Sequence, residues 1–336
     1  IYNLGLQNKI EYYTQTGKTL SCFDLCNNLL KQEKESNPWL KEIYSQSLQM
    51  SLRNLDNAFK NFFRTKKGFP KFKSKHHSNN SCQFPQHVKI DFNKKRVILP
   101  KIGGIKTIFH RTFIGNIKTV TVSKNKINQY FISILVDNSE ELPNKVKVTE
   151  KTSIGLDLGI KDFCITSNNT KISNPKYLKS NLKKIKKLNK QHSKKKKGGK
   201  NREKARLKLA KLHNYIQNVR NDFLHKLSSK LISENQTIII EDLNIIGMLK
   251  NHKLAQSISD VSWNKFITYL KYKSEWYGKN IIEINRFEPS SKICSNCGYI
   301  NNELTLKDRE WKCKKCNILH DRDINAANNI KRYGLI

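Results

Sequence analysis

An N-terminal stretch carries apolar side chains at every third or fourth position, the spacing of an amphipathic helix. These side chains are Leu40, Tyr44, Leu48, Leu52, Leu55, Phe59 and Phe62. We expect Asn37 as N-cap and Pro38 in the first turn to begin this helix, and Gly68 and Pro70 to end it. The pattern therefore predicts a helical region over residues 1–82.

After residue 82 the pattern changes to short runs rich in β-branched and aromatic residues, separated by turn signals. The runs are Lys95–Leu99, Ile117–Val122 and Tyr130–Val136, with turns expected at Asn93-Lys94, Gly103-Gly104 and Lys124-Asn125. They predict a small antiparallel barrel or sheet over residues 83–140. Glu140–Pro143 and the polar residues after it are typical of a linker, so we expect a second domain to begin near Thr152.

A strongly basic segment follows. Between Lys176 and Lys211 there are seventeen Lys or Arg residues and one acid, Glu203. Leucines and isoleucines at helical spacing lie on both sides of residues 194–200, which predicts a basic helical hairpin within 176–235. A solvated face is the plain alternative, but packed helices with outward charges favour contact with nucleic acid.

The whole chain of 336 residues has 64 Lys and Arg against 27 Asp and Glu, a formal charge of +37. Self-repulsion of this size is tolerated mainly where a polyanion neutralises it, so nucleic acid is the expected partner. An anionic membrane is disfavoured, because no run of about 18 apolar residues exists. The chain opens on Ile1 without a methionine, a signal sequence or an apolar leader, so we expect a fragment that lacks its true N-terminus.

Four of the eight cysteines form two C-x2-C pairs separated by fifteen residues, the spacing of a four-thiolate zinc ribbon. They are Cys294, Cys297, Cys313 and Cys316. Gly298 and Asn317 follow the two pairs and accept the left-handed backbone that such turns need. Four unrelated buried cysteines are the alternative. With four protein ligands the ion would be structural, holding a loop-rich segment at residues 290–319.

We expect the other cysteines to be small buried hydrophobic residues. They are Cys22, Cys26, Cys82 and Cys164.

Carboxylates occur in three β-like or strand-end contexts. Asp157 lies within an apolar run, Glu241 and Asp242 end another, and Asp321 and Asp323 precede a predicted helix. Any one of them alone is readily an N-cap or a surface charge. Three acids from separate elements of one α/β domain fit a site for two divalent cations that clamp a phosphodiester. This is nuclease chemistry.

Four segments together resemble the TnpB (OrfB) proteins of bacterial insertion sequences. They are Ile154-Gly-Leu-Asp-Leu-Gly-Ile, Ile240-Glu-Asp-Leu, Phe287-Glu-Pro-Ser-Ser-Lys-Ile-Cys-Ser-Asn-Cys-Gly and His320-Asp-Arg-Asp-Ile-Asn-Ala-Ala-Asn-Asn-Ile. Residues 45–75 and 262–278 resemble the family too, so the likeness covers nearly the whole chain. Members usually begin with a further strand that this chain lacks, which leaves the predicted barrel without an edge strand.

The resemblance implies an α/β fold with all-β and helical parts: an RNase H-like (RuvC) nuclease domain at 151–336 with the zinc ribbon inserted in it. It implies Asp157, Glu241 and Asp323 as ligands of catalytic Mg²⁺, with two ions expected. Asp242 and Asp321 would be supporting acids.

The resemblance also implies an RNA-guided DNA endonuclease that cuts beside a short flanking motif. Its partners would be a guide RNA from the element's own end and double-stranded target DNA, bound by a monomer in the bacterial cytoplasm at the nucleoid. A heteroduplex is held through its phosphates and shape. The candidate contacts are Lys71, Lys73 and Lys75 in a basic loop, and Lys183, Lys187, Lys194, Lys195, Arg202 and Arg206 in the hairpin.

Two other functions remain open. One is a cleavage-inactive DNA or RNA binder that regulates transposition or transcription. The other is a transposase that exchanges strands itself, which would need a catalytic tyrosine and paired histidines. His76-His77 is weak evidence for it, because no hydrophobic partner strand accompanies the pair.

Overall fold

The computed structural model describes residues 1–65, 68–74, 80–286, 288–305 and 307–336. The chain divides into two compact units, residues 1–140 and 141–336. The division falls at the predicted linker, and the predicted segments 1–82 and 83–140 both lie in the first unit. No helix in the described part of the chain is long and apolar enough to cross a membrane.

The first unit begins with four α-helices: α1 (Tyr2–Thr16), α2 (Cys22–Asp24), α3 (Leu30–Ser36) and α4 (Ser45–Thr65). A π-helical turn (Leu25–Leu29) and a 3-10 helix (Pro38–Glu42) lie between them. The predicted apolar stripe forms the core here, since Leu52 and Leu55 are fully buried. They pack on Gly5, where a Cβ atom would lie 2.6 Å from Leu52 Cδ2.

The predicted start of the long helix was wrong. Pro38 opens the short 3-10 helix, and α4 begins only at Ser45. Ile43 has an extended backbone between the two. Asn37 makes no side-chain cap, and its Nδ2 donates to Glu33 Oε2 at 3.1 Å. Proline suits the first turn of a 3-10 helix as well as that of an α-helix, so the pattern could not separate the two.

In the described part of this unit six strands follow the helices: β1 (Asn80–Phe84), β2 (Lys89–Asp91), β3 (Arg96–Leu99), β4 (Gly103–Lys106), β5 (Asn116–Lys124) and β6 (Tyr130–Asp137). They pair as two antiparallel sheets, in the orders β1-β5-β6 and β2-β3-β4. Phe84, Val97 and Val120 share one core between these sheets. A single closed barrel is therefore not confirmed. The turn predicted at Gly103-Gly104 was also wrong, since these glycines open β4.

The second unit is built on five strands: β7 (Ser153–Leu158), β8 (Asp162–Thr166), β9 (Lys171–Ser173), β10 (Thr237–Glu241) and β11 (Asn280–Ile284). Their order is β11-β10-β7-β8-β9. β7, β8 and β9 form an antiparallel meander, and β10 and β11 lie parallel to β7. The helices are α5 (Tyr177–Ser193), α6 (Lys200–Glu234), α7 (Ile245–Met248), α8 (Ala255–Val261), α9 (Trp263–Trp276) and α10 (Arg322–Tyr333).

The two faces of this sheet are covered differently. Ile154 and Leu156 of β7 face a large core that includes Leu224 of α6 and Phe266 of α9. Because side chains alternate along a strand, Gly155 and Asp157 face the opposite side. There α10 covers the sheet, and Ile330 packs against β10 and β11.

The predicted basic hairpin is present as the antiparallel pair α5 and α6. Ile185, Leu212 and Ile216 are buried between the two helices. Asp260 fixes the base of the hairpin, because its carboxylate accepts hydrogen bonds from the Leu178 backbone N–H at 3.0 Å and from Arg220 Nη2 at 2.7 Å. The hairpin is thus joined to the sheet through α6, whose second half enters the main core.

The prediction for the four remaining cysteines was right for one of them. Cys164 is buried, Cys22 and Cys26 are half-buried, and Cys82 is exposed on β1. Cys82 lies in an alternating strand, and a cysteine does not itself indicate which face of such a strand it occupies.

Candidate functional site

Asp157 and Glu241 lie side by side on neighbouring parallel strands. The register pairs Ile239 with Gly155 and Ile240 with Leu156, so the next step along both strands brings Glu241 beside Asp157. Both side chains point to the α10 face, since they alternate with residues buried in the main core. The apolar runs that fix these two strands therefore also place the two acids together.

Asp323 reaches the same place through the packing of α10. An ideal Cβ on Gly155 would lie 2.2 Å from the Ala327 carbonyl oxygen and 2.7 Å from the Lys331 backbone nitrogen. From Ala327 back to Asp323 is four helical residues, about 6 Å, and from Gly155 on to Asp157 is two strand residues, about 6.6 Å. Asp323 thus lies about one helical turn before this contact, close enough to Asp157 for its charge to raise the pKa of that acid.

The two neighbouring acids act on Asp157. The pKa of Asp157 is raised to about 7, first by burial and then by the charges of Glu241 and Asp323, against a weaker opposing effect of Arg322. A carboxyl group titrating near neutral pH beside two other carboxylates is characteristic of a functional site.

Glu241, Asp323 and the adjacent Asp242 each have a side-chain partner elsewhere in the second unit. Glu241 Oε1 accepts a hydrogen bond from Ser290 Oγ at 2.6 Å, and Asp323 Oδ2 lies 3.6 Å from Arg309 Nη1. Asp242 is paired with Arg286. These contacts orient the carboxylates from outside the sheet.

Asp321 has a structural role. It is the N-cap of α10, since Oδ1 accepts hydrogen bonds from the backbone N–H groups of Asp323 and Ile324, both at 3.1 Å. Although burial opposes it, the hydrogen bond from Lys171 Nζ at 2.5 Å and these N–H groups hold the pKa of Asp321 below its usual value. The capped turn fixes the position of Asp323 two residues later.

The four predicted zinc ligands come together. In the described residues, their sulfurs form the only group of three or more His, Cys, Asp or Glu ligand atoms that all lie within 4.8 Å of one another. Cys294 Sγ is 3.6 Å from Cys316 Sγ, and Cys297 Sγ is 3.5 Å from Cys313 Sγ. Tetrahedral zinc with Zn–S bonds of about 2.3 Å needs sulfurs about 3.8 Å apart, so this donor set fits the ion. The three carboxylates are neighbours but do not form so tight a group.

Two matching turns present these sulfurs. Gly298 and Asn317 have φ values of +76° and +60°, which confirms the predicted left-handed backbone after each pair. The Gly298 N–H donates to the Cys294 carbonyl oxygen and the Asn317 N–H to that of Cys313, both at 2.9 Å. The second turn joins two short antiparallel strands, β12 (Glu310–Lys312) and β13 (Leu319–Asp321).

Two asparagines attach this four-cysteine ribbon, residues 290–319, to α10. Asn329 is fully buried, and its Nδ2 donates to the carbonyl oxygens of Ser290 at 2.7 Å and Ile293 at 2.6 Å. Asn325 accepts from the Ser295 N–H at 2.8 Å. Glu241 and the first cysteine pair are therefore held against the helix that carries Asp323.

The predicted nucleic-acid contacts have different surroundings. Lys183, Lys187, Lys194 and Lys195 are exposed on the hairpin, whose end has a groove of about 480 Å³ lined by Lys194, Lys195, Lys204 and Lys208. Arg202 instead donates to the Lys195 carbonyl oxygen at 2.9 Å, and Arg206 pairs with Glu203 at 2.6 Å. These two arginines support the hairpin itself.

In the N-terminal basic loop, Lys71 is exposed and Lys73 Nζ lies 3.9 Å from the centre of the Tyr2 ring. Lys75 and the His76-His77 pair lie outside the described residues.

Sequence reasoning missed four side chains at the site: Ser290, Lys171, Arg309 and Asn329. Ser290 follows Glu241 by 49 positions, and Lys171 precedes Asp321 by 150. Among 64 Lys and Arg residues, nothing local distinguishes the two cations. The asparagines did carry a weak signal, because polar residues at 325 and 329 lie on the apolar face of the predicted helix.

Two family models match the chain. The model OrfB_IS605, described as "Probable transposase", covers residues 132–252, and one described as "Cas12f1-like, TNB domain" covers residues 263–330. A protein of Streptomyces pristinaespiralis named "Putative RNA-guided DNA endonuclease" is 36% identical over 338 residues, which is 100% of this chain and 83% of that protein.

InsQ of Escherichia coli K12, which carries the same description, is 30% identical over 350 residues, 99% of this chain and 86% of that protein. Among solved structures, the chain in the cryo-EM structure of a Cas12f1-sgRNA-target DNA complex matches with a TM-score of 0.55 and 18% identity. That match covers 98% of this chain and 79% of the other, and shows a shared fold. The matched models and the full-length relatives agree with the geometry above: the chain belongs to the TnpB (OrfB) family of insertion-sequence proteins.

Proposed function

We propose that this chain is an RNA-guided, divalent-metal-dependent DNA endonuclease that cuts target DNA beside a short flanking motif. The observation that carries the proposal is the convergence of Asp157, Glu241 and Asp323 from two parallel strands and the helix packed across them. The sheet order, with an antiparallel three-stranded meander followed by two parallel strands, supports an RNase H-like (RuvC) domain.

The three carboxylates fit Mg²⁺, which prefers oxygen ligands and retains several waters, so a loose cluster suffices. When bound, two such ions supply a nucleophilic hydroxide and stabilise the attacking and leaving oxygens of a phosphodiester. Asp157, Glu241 and Asp323 would hold the ions.

The chain's own residues prepare these ligands. Ser290 donates a hydrogen bond to one carboxylate oxygen of Glu241, so the other oxygen would be available to an ion. The Asp321 cap fixes the first turn of α10, which contains Asp323. Asp157 releases its proton near neutral pH, because burial and two neighbouring carboxylates favour its neutral form. Asp157 would be ionised when it holds a cation.

The proposal of an RNA guide is supported by the names of the relatives and by the positive charge of the chain. Two relatives that match nearly the whole chain are named for RNA-guided cleavage. The formal charge of +37 and the exposed lysines of the hairpin suit a guide and target held through their phosphates. We assign the hairpin lysines to this backbone contact and the four-cysteine ribbon to a structural zinc.

The test uses protein purified with the RNA that it retains in cells, and a plasmid library that places the sequence complementary to that RNA beside randomised flanks. Asp157→Ala should reduce cleavage at least about 10³-fold, because it removes a metal ligand. Binding of RNA and DNA should persist. Asp222→Ala, which removes an exposed ion pair with Lys226, is the control.

Cleavage that persists in Asp157→Ala would refute the three-carboxylate site. Wild-type protein that binds RNA and DNA but does not cut DNA with any divalent metal tested would favour the cleavage-inactive regulator. Joining of DNA ends by the purified protein without RNA would favour a transposase.

A further inference from the structure

A buried histidine touches the cysteine cluster without belonging to it. His320 is 8% exposed, and its Nε2 lies 3.0 Å from Cys294 Sγ. In the described part of the chain, the tight group of ligand atoms contains the four sulfurs and not the His320 ring. Four cysteines already complete a tetrahedral site for zinc, so His320 lies beside the ligand set.

The β12–β13 hairpin holds the His320 ring in this position. The register places His320 opposite Trp311, so both side chains lie on one face, and their ring centres are 4.9 Å apart. Trp311 is buried with Cys294 and Cys313. Leu319, on the other face of β13, is 66% exposed. The strand therefore turns His320 toward the cysteines, where the indole covers it.

The chemistry of the pair decides which atom donates. A zinc-bound thiolate has lost its proton and can only accept, so in the zinc-loaded ribbon His320 Nε2 carries the hydrogen of this contact. Four thiolates around one Zn²⁺ have a net negative charge, and burial makes that charge costly. A hydrogen bond to Cys294 disperses part of it, and bonds to an ionised group are the stronger ones.

The same contact joins the first cysteine pair to the start of α10. The Ser295 N–H, beside Cys294, donates to Asn325 of α10 at 2.8 Å. His320 directly precedes Asp321, whose carboxylate caps the same helix. A bond between Cys294 and His320 thus closes a ring of contacts that runs from the first pair through β13 and α10.

We propose that His320 is a positioning residue that donates its Nε2–H to the Cys294 thiolate, strengthens the retention of zinc and ties the metal site to the cap of α10. This inference rests on the proposed structural zinc and is independent of the nuclease function. It gives the ribbon a fixed relation to the helix that carries Asp323, through a side chain that is not itself a zinc ligand.

The first test compares variants with and without a donor at position 320. His320→Leu and His320→Met keep roughly the side-chain volume but have no N–H, whereas the amide of His320→Gln can place one near the position of Nε2. Competition with a chelator should show about 10–100-fold weaker zinc binding for the two donor-free variants, the usual effect of removing a hydrogen-bonding partner of a metal ligand. His320→Gln should recover much of it. His252→Leu, the same change at an exposed histidine outside the ribbon, is the control.

A second measurement separates the hydrogen bond from packing. In Co²⁺-substituted protein, the sulfur-to-cobalt charge-transfer bands report the electron density on the thiolates. Loss of an N–H donor leaves Cys294 Sγ richer in electrons, so the bands of His320→Leu and His320→Met should move to longer wavelength. Those of His320→Gln should stay near the wild-type position.

A third measurement tests the link to α10. The backbone N–H groups of Asp323 and Ile324 donate to Asp321 Oδ1, both at 3.1 Å. Their hydrogen exchange, measured in zinc-saturated protein, should be faster in His320→Leu than in the wild type, because β13 then holds the Asp321 cap less firmly.

Four results would overturn the inference, and they are distinguishable. Zinc affinity within twofold of wild type in both donor-free variants, or unshifted charge-transfer bands, would overturn the donor role and leave the zinc site intact. Equal exchange of the Asp323 and Ile324 N–H groups would overturn the link to α10. A wild-type cobalt spectrum with the charge-transfer intensity of three thiolates would make His320 a ligand in place of a cysteine. A wild type that binds no zinc would overturn the structural zinc and this inference with it.

Discussion

Gly155 and Ala327 lie so close that a Cβ atom on the glycine would be 2.2 Å from the alanine carbonyl oxygen. The missing side chain lets α10 rest directly on β7. This contact sets the distance between helix and sheet, and with it the position of Asp323 relative to Asp157. A residue without a functional group therefore builds the candidate site.

Gly155→Ala should destabilise the protein by about 1–3 kcal/mol and reduce cleavage more strongly than it reduces nucleic-acid binding, because backbone atoms of α10 must move. Thermal unfolding and cleavage assays measure both effects. Gly104→Ala is the control: it is also in a strand, but its Cβ would meet Arg96 Cδ at an ordinary 3.6 Å. Equal stability of the two variants would show that α10 does not rest on Gly155.

The raised pKa of Asp157 predicts how stability depends on pH in Mg²⁺-free buffer. The pKa is about 7 in the folded protein against 3.8 in the unfolded chain, so folding favours the protonated acid. This contribution is present below the unfolded value and is lost as pH rises through about 7. Asp157→Asn cannot ionise, so its Tm should exceed that of the wild type by a margin that grows from pH 5.5 to pH 8.

Calorimetry measures this difference in Tm between Asp157→Asn and the wild type. No chelator is added, so that zinc remains bound. Mg²⁺ should raise the wild-type Tm more at pH 8 than at pH 6, because it competes with a proton at the lower pH. A Tm difference between the two proteins that does not change with pH would contradict the assignment of the raised pKa to Asp157.

Cys316→Ser should remove bound zinc and impair folding and cleavage together. Loss of a structural metal costs about 4 kcal/mol or more, and the ribbon carries the strand that leads into Asp321 and Asp323. Elemental analysis, thermal unfolding and cleavage assays check this. Cys82→Ser is the control, since Cys82 is exposed on β1. Normal cleavage by a zinc-free variant would refute the coupling.

Replacing Lys183, Lys187, Lys194 and Lys195 by alanine should weaken binding of nucleic acid and reduce its salt dependence. Each lost phosphate contact lowers the slope of log Kd against log salt by about 0.9, so the four should lower it by up to about 3.6. Binding titrations across salt concentrations give the slope. Arg206→Ala should leave it nearly unchanged, because Arg206 pairs with Glu203. An unaltered slope in the fourfold variant would exclude the hairpin as a backbone contact.

The elements of the second unit could be predicted where one physical signal dominated. The apolar runs around Asp157 and before Glu241 predict buried strands, because strands covered on both faces are nearly continuously apolar. The cysteine spacing predicts the ribbon, because the geometry of a metal site is short-range along the chain. The roles of Asp157, Glu241 and Asp323 came from the family resemblance, and they stay predictions until cleavage is measured.

Where two structures satisfy one pattern, the sequence was insufficient. Pro38 suits a 3-10 turn and an α-helix equally, and Gly103-Gly104 opens a strand as readily as it makes a turn. Arg202 looked like one more basic contact, yet it supports the hairpin loop. Each outcome depends on neighbours that are far away in the chain.

The sequence by itself determined the strands that hold Asp157 and Glu241, the cysteine ribbon and the basic hairpin, because periodicity, spacing and charge are local properties. Only the tertiary structure decided that α10 rests on Gly155, that Ser290 orients Glu241, and that Arg309 faces Asp323. Such contacts depend on the packing distance between helix and sheet and on the register of the strands. Both are set by the whole core, so no single segment of the chain encodes them.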